Sequence, residues 1–178
     1  VQTEDLGKSY ATEPLRPLAD FYNERRWLTW DLLCGRVGPE HALWEWLLGT
    51  GVSPDELGWF ARNPCPPDLL GANYYVTGER WLDHRPERYP ERFRGVCDGM
   101  PMADIETARC LATPTLGLEP LLEEAWQRYR LPIAVTEAHI DSHRADQMRW
   151  LRDIWQAALA ARESGADVRA VTVWALLG

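Results

Sequence analysis

A chain of 178 residues, 46% apolar and 26% charged, is long enough to bury one sizeable core and short for two domains. Its net charge of -8 repels phosphates and anionic lipid headgroups, which argues against non-specific binding of nucleic acid or membrane surfaces. Cys34, Cys65, Cys97 and Cys110 include no C-x-x-C pair, which argues against a zinc ribbon and gives no recognisable disulfide framework.

The thiols are therefore read as reduced and the protein as cytoplasmic, with no metal and no cofactor expected. No signal-peptide pattern and no apolar run near 18 residues occurs, so neither a visible leader nor a membrane span is indicated. The chain starts at Val1 rather than methionine, and an upstream segment could carry a targeting signal.

In chain order, "VQTEDLG" (1–7) reads as the tail of a strand. "RRWLTWDLLCG" and "EHALWEWLLGTG" read as helices stopped by Gly35 and by Gly49 or Gly51. "DLLGANYYVT" (68–77) is a strand. "HRPERYPERFR" (84–94) interleaves Glu with Arg and reads as a solvated, salt-bridged loop rather than a phosphate-binding patch. Residues 103–130 form a helical region whose apolar face is Leu118, Leu121, Leu122, Ala125 and Tyr129. Pro132 to Glu137 is a continuous apolar strand, as burial on both faces requires. A helix follows, N-capped by Ser142, faced by Met148, Leu151, Trp155, Ala158 and Leu159, and stopped at Gly165. Val168 to about Leu176 closes the series as another buried strand.

Strand, helix and parallel strand make βαβ units with helical crossovers. A doubly wound nucleotide-binding domain would carry a G-x-G-x-x-G turn, and none is present; a dehydrogenase therefore finds no support. The strands end instead in polar and aromatic groups: Thr3, Glu4 and Asp5, then Asn73 and Tyr75, then Glu137, then Trp174. A ring of such groups at successive strand ends is what the catalytic face of a (β/α)8 TIM barrel presents. Four units make half of one.

The stretches "LGANYYVT", "LLEEAWQRYRLPIAVTEAH" and "GADVRAVTVWALLG" resemble the family 1 glycoside hydrolases, whose barrels carry an N-Y-Y strand, a T-E-N-G strand and a W-S-L-L-D-N strand. Within that family the chain is similar to a bacterial branch in which a glycosidase-like barrel is often fused to a dTDP-4-dehydrorhamnose reductase-like domain. The resemblance spans the chain from about Asp68 onward. It implies that residues 1–178 are the C-terminal half of such a barrel, about strands 5 to 8, with the N-terminal half absent from this chain.

Carried over position by position, the resemblance makes Glu137 the nucleophile of a retaining β-glycosidase and Tyr75 the hydroxyl that orients it. Asn73 would line the sugar site and Trp174 would form its aromatic floor. His139 and Glu4 are further candidates for substrate binding, and Glu4 or Asp5 could substitute for the acid/base. The chemistry suits these residue types: a retaining glycosidase pairs an ionised carboxylate with a protonated one. Two departures stand out. Ala138 and His139 replace the N-G of the motif, and no N-E-P, the family's acid/base context, occurs in the chain, which places that residue upstream of Val1. The expected partner is a carbohydrate, with a fused sugar-nucleotide reductase domain in the full-length protein. The competing reading is a carbohydrate-binding or structural barrel that has lost hydrolysis.

Overall fold

The computed structural model describes residues 1–110 and 115–174. Its strands are β1 (Gln2–Asp5), β2 (Ser9–Ala11), β3 (Leu70–Asn73), β4 (Arg80–Asp83), β5 (Arg94–Cys97), β6 (Met100–Glu106), β7 (Ile133–Ala138) and β8 (Val168–Val173). Its helices are α1 (Arg16–Arg25), α2 (Leu28–Leu33), α3 (Trp44–Gly49), α4 (Pro54–Arg62), α5 (Leu118–Tyr129) and α6 (Arg144–Glu163). No helix among the described residues is long and apolar enough to cross a membrane.

The expected four strands form one wholly parallel sheet in the order β1, β3, β7, β8. One face packs on helices. Leu70, Ala72, Tyr74, Ile133, Val135 and Ala138 are buried there against Leu121 and Leu122 of α5 and Ile154, Ala158 and Ala161 of α6. Each large aliphatic side chain so buried contributes about 1.5–3 kcal/mol. The other face carries small or polar groups. A β-carbon on Gly71 would lie 2.5 Å from Thr3 Oγ1 and 3.1 Å from Thr136 Cγ2, so those threonines fill the space that glycine leaves.

The sheet is not a closed barrel: among the described residues β1 pairs only with β3, and β8 only with β7. What is present matches the expected α/β class and the expected parallel sheet.

Several sequence expectations are corrected. The strand expected over 68–77 stops at Asn73, so Tyr75 lies beyond it. The helical reading of 103–110 fails because Ala103 to Glu106 belongs to β6 and Thr107–Arg109 is a 3-10 turn; residues 111–114, and the far end of the last strand at Leu176, lie outside the described residues. The N-cap of α6 is His143, while the Ser142 hydroxyl donates to Asp146 at 2.8 Å. The face of α6 differs too. Ile154, Ala158 and Ala161 face the sheet, whereas Met148, Trp155 and Leu159 are 57%, 52% and 42% exposed. Two stripes with helical spacing cross at Ala158, and the one with smaller side chains lets the helix lie closer to the strands.

A second sheet, unforeseen in the sequence, runs β2, β4, β6, β5. The parallel pair β1/β3 continues past a bend as the parallel pair β2/β4, with β6 and β5 added antiparallel. Three extra residues are accommodated at the bend: Asp5 faces Asn73, but Ser9 faces Arg80. The fully buried Glu79 ties the junction together. Its carboxylate accepts from the hydroxyls of Tyr10 (2.6 Å) and Tyr74 (2.7 Å) and from the N–H groups of Leu116 and Gly117 (both 2.8 Å). Four donors satisfy a carboxylate that would otherwise be too costly to bury.

A buried charge network fixes the helices on the sheet's flank. Asp31 of α2 accepts from Arg128 Nη2 at 2.6 Å and from the Tyr129 hydroxyl at 2.9 Å, both on α5. His41 Nε2 lies 3.1 Å from the same carboxylate, and its Nδ1 accepts from the Leu43 N–H at 3.1 Å, which assigns the donating proton to Nε2. The rings of Trp27, Trp30 and Tyr129 pack together with centroids 5.4–6.0 Å apart.

Candidate active site

Parallel strands held by helices on one face present their carboxyl ends as a rigid rim, and here the rim carries Asp5, Asn73, Glu137 and Trp174. Register sets the first three side by side: Asp5 pairs with Asn73, and Asn73 with Glu137. Alternation puts Asp5 on the same face as Thr3, and Asn73 on the same face as Gly71, away from the helices.

A register shift between Ala72 and Asn73 brings Glu137 into this row. Val135 and Ala138 both turn into the helix-side core, and the two residues between them, Thr136 and Glu137, are partly exposed. A bulge of this kind re-aims side chains, and bulges concentrate beside active sites. The Thr136 hydroxyl donates to Asn73 Oδ1 at 2.6 Å. That bond fixes the amide and leaves its Nδ2 hydrogens without a partner among the described residues. Thr136 was missed in the sequence, although it is the T of the T-E pair; its role depends on the bulge, which apolar periodicity does not reveal.

Asp5 is open to solvent on one side, yet its carboxyl titrates above the ordinary aspartate range. Partial desolvation is the main cause, followed by the negative charges of Glu137 and Glu4. The field of Glu137 is thus felt at Asp5. Glu4 sits on the opposite face of β1 and accepts from Gln2 Nε2 at 3.2 Å; it lines a groove beside the rim rather than the row itself.

On the next two strands, the rings of His139 and Trp174 meet edge to face with centroids 6.3 Å apart. Trp174 is 49% exposed, so one side of its indole is free to receive a ligand. Tyr75 is not joined to this group by any hydrogen bond among the described residues. Past the end of β3 it enters a turn, its carbonyl accepting from the Gly78 N–H at 2.9 Å. Its neighbour Tyr74 is the buried tyrosine, stacked on Trp150 at 5.8 Å and donating to Glu79. Burial, then the bond and charge of Glu79, push the Tyr74 and Tyr10 hydroxyls above their usual range, so both remain protonated donors.

The arrangement offers two neighbouring carboxylates of unlike environment, a fixed amide and an exposed aromatic face. Such a rim can hold a polar ring and exchange a proton with it. The overall structure is similar to that of part of several solved enzymes, family 1 b-glucosidases among them. The "Family 1 b-glucosidase from Thermotoga maritima" aligns over 98% of this chain and 40% of its own, at 15% identity and a TM-score of 0.64; its complex with isofagomine lactam aligns with a TM-score of 0.65. The "AHE enzyme from Alicyclobacillus herbarius" aligns over 97% of this chain and 40% of its own, at 16% identity and a TM-score of 0.61. The α/β fold with its parallel sheet matches part of a TIM-barrel glycosidase. At these identities the likeness speaks for the fold, and the chain spans about two fifths of the length of the structures it matches. No protein-family model matches the sequence, and no curated protein sequence matches it.

Proposed function

We propose that these 178 residues are the C-terminal half, about strands 5 to 8, of a (β/α)8 barrel glycosidase that acts on a β-linked glycoside by double displacement. The observation that carries this reading is the row Asp5, Asn73, Glu137 on adjacent parallel strands, with the His139 and Trp174 rings beside it.

Glu137 attacks the anomeric carbon as the bond to the leaving oxygen breaks, forming a glycosyl ester. A carboxylic acid protonates that oxygen, then takes a proton from the water that hydrolyses the ester. Asp5 is the group in this chain best suited to the second role, because its raised pKa keeps the proton to higher pH. Two strand spacings of about 4.8 Å separate the two backbones, and inward-pointing side chains shorten that distance toward the 5–9.5 Å range over which paired glycosidase carboxylates operate. A complementary barrel half can also contribute an acid from an N-E-P strand. Asn73 Nδ2 donates to a sugar hydroxyl and Trp174 forms the floor. His139 orients Trp174, and Glu4 contacts substrate entering from the side groove.

The absence of a Tyr75–Glu137 hydrogen bond among the described residues favours a second reading, a carbohydrate-binding barrel without turnover. The two separate on Glu137→Gln in the complete protein. A glycosidase loses hydrolysis of aryl β-glycosides and keeps sugar binding, whereas a binding barrel shows no hydrolysis before or after the change.

A further inference from the structure

Spacing along the chain pairs none of the four cysteines, yet the fold brings two of them together. α2 ends at Cys34, whose N–H donates to the Trp30 carbonyl at 2.8 Å. Residues on both sides of Cys34 rest on the segment that follows α4. The Leu33 carbonyl accepts from the Cys65 N–H at 2.7 Å, and a β-carbon on Gly35 would lie 3.1 Å from Pro64 Cβ. Standard backbone dimensions and that 2.7 Å bond hold the Cα atoms of Cys34 and Cys65 within about 6.5 Å of each other. Disulfides span Cα separations of about 4.4–6.8 Å.

Both backbones are held there before any bond forms. Cys65 lies between Pro64 and Pro66, with Pro67 following, so pyrrolidine rings fix φ on either side and confine Cys65 to extended conformations. Cys34 and Arg36 are tied through their N–H groups to the Trp30 and Asp31 carbonyls, both at 2.8 Å. Little backbone freedom is left to lose on closure. The two thiols differ in access: Cys65 is exposed and Cys34 is half-buried. Burial pushes the Cys34 thiol above its ordinary range, with Arg36 opposing the shift and Asp31 adding to it. Cys65 therefore meets a reagent first, and Cys34 is the thiol that resolves the adduct. Cys97, in β5, and Cys110, at the end of the turn after β6, belong to the second sheet.

We propose that Cys34 and Cys65 are a redox-active pair, a modification site that closes to a reversible disulfide on reaction with a low-molecular-weight disulfide such as oxidised glutathione, independently of the glycosidase reading. The Cys65 thiolate attacks one sulfur of the reagent, whose S–S bond breaks and releases one thiolate, leaving a mixed disulfide on Cys65. Cys34 gives its proton to solvent, attacks the Cys65 sulfur and expels the second thiolate. Two protein thiols thus lose two protons and two electrons, and the reagent gains them as two thiols. The new bond closes a ring that contains α3 and α4 and anchors the end of α2, the helix whose Asp31 binds Arg128 of α5. Oxidation therefore staples the helical flank, and the strand-end rim is not part of the ring.

Treating the complete, folded protein with oxidised glutathione, alkylating the remaining thiols and digesting with trypsin tests this. Cleavage after Arg26, Arg36, Arg62 and Arg80 puts the two cysteines on separate peptides, 27–36 and 63–80. The expected result is those two peptides joined by a disulfide. Cys34→Ser should stop at the glutathione adduct on Cys65, and Cys65→Ser should leave Cys34 without a cross-link. Oxidation should raise the thermal midpoint by about 4 °C or more, reversibly with dithiothreitol and in neither variant. Far-UV circular dichroism verifies that both variants fold. Recovery of both cysteines alkylated, a glutathione adduct that persists on Cys65 of the unsubstituted protein, or Cys34 joined to Cys97 or Cys110 overturns the proposal. An unchanged or lowered midpoint on oxidation overturns it too, because the bond would then need a rearrangement of the fold.

Discussion

Gly7 and Gly78 meet back to back where the parallel sheet bends into the second sheet: a β-carbon on Gly7 would lie 2.2 Å from the Gly78 carbonyl oxygen. The atom in the way is backbone, so no side-chain rotation relieves the clash. Gly7→Ala is therefore expected to destabilise the protein by about 3 kcal/mol or more. Gly95→Ala, at a site with nothing within 4 Å, is expected to be close to neutral. Urea midpoints of the two variants check the contrast, and equal midpoints would mean the bend is not close-packed.

Acid stability should report Asp83. Burial alone would raise its pKa, but the Arg85 guanidinium at 2.9 and 3.0 Å, the Arg85 N–H at 3.0 Å and the Tyr89 hydroxyl at 2.9 Å favour the ionised form and bring it to about 2. An unfolded aspartate titrates near 3.9. Because the folded value is the lower one, the stabilisation is fully present above about pH 4 and is lost as pH falls toward 2, in total about 2 kcal/mol. Asp83→Asn should lower stability at pH 7 and should show a smaller deficit at pH 2.5. A deficit independent of pH would contradict the assignment.

The sequence was readable where one periodicity decided the outcome. Apolar runs located β7 and β8, and the Leu118, Leu121, Leu122, Ala125 stripe located the buried face of α5. It was unreadable where tertiary contacts chose between equal patterns, as on α6. The second sheet escaped notice because β2, β4 and β5 are only three or four residues long, too short for alternation to register. At the site, residue types and strand ends pointed to Asn73, Glu137, His139 and Trp174. The Thr136 bond and the Asp5 neighbourhood required the register, which a bulge had shifted by one residue.

The outward stripe of α6 makes a solution prediction. Met148, Trp155 and Leu159 are exposed near β8, with Val173 beside Met148 and Trp155, and β8 pairs on one side only among the described residues; such edges and apolar patches drive association. The 178-residue chain by itself is expected to self-associate in sedimentation velocity. Trp155→Lys/Leu159→Lys should shift it toward monomer, and a parent that is already monomeric would contradict this.

The most direct measurement of the central claim is capture of the glycosyl ester. A 2-deoxy-2-fluoro-β-glucosyl fluoride forms the ester readily through its good leaving group, while the fluorine at C2 slows hydrolysis, so a retaining enzyme accumulates the adduct. Peptide mass spectrometry of the complete protein after this treatment should find one added fluorosugar on the peptide containing Glu137, and none in Glu137→Gln. An adduct on a different carboxylate, or none while aryl glycosides are being turned over, would contradict the account.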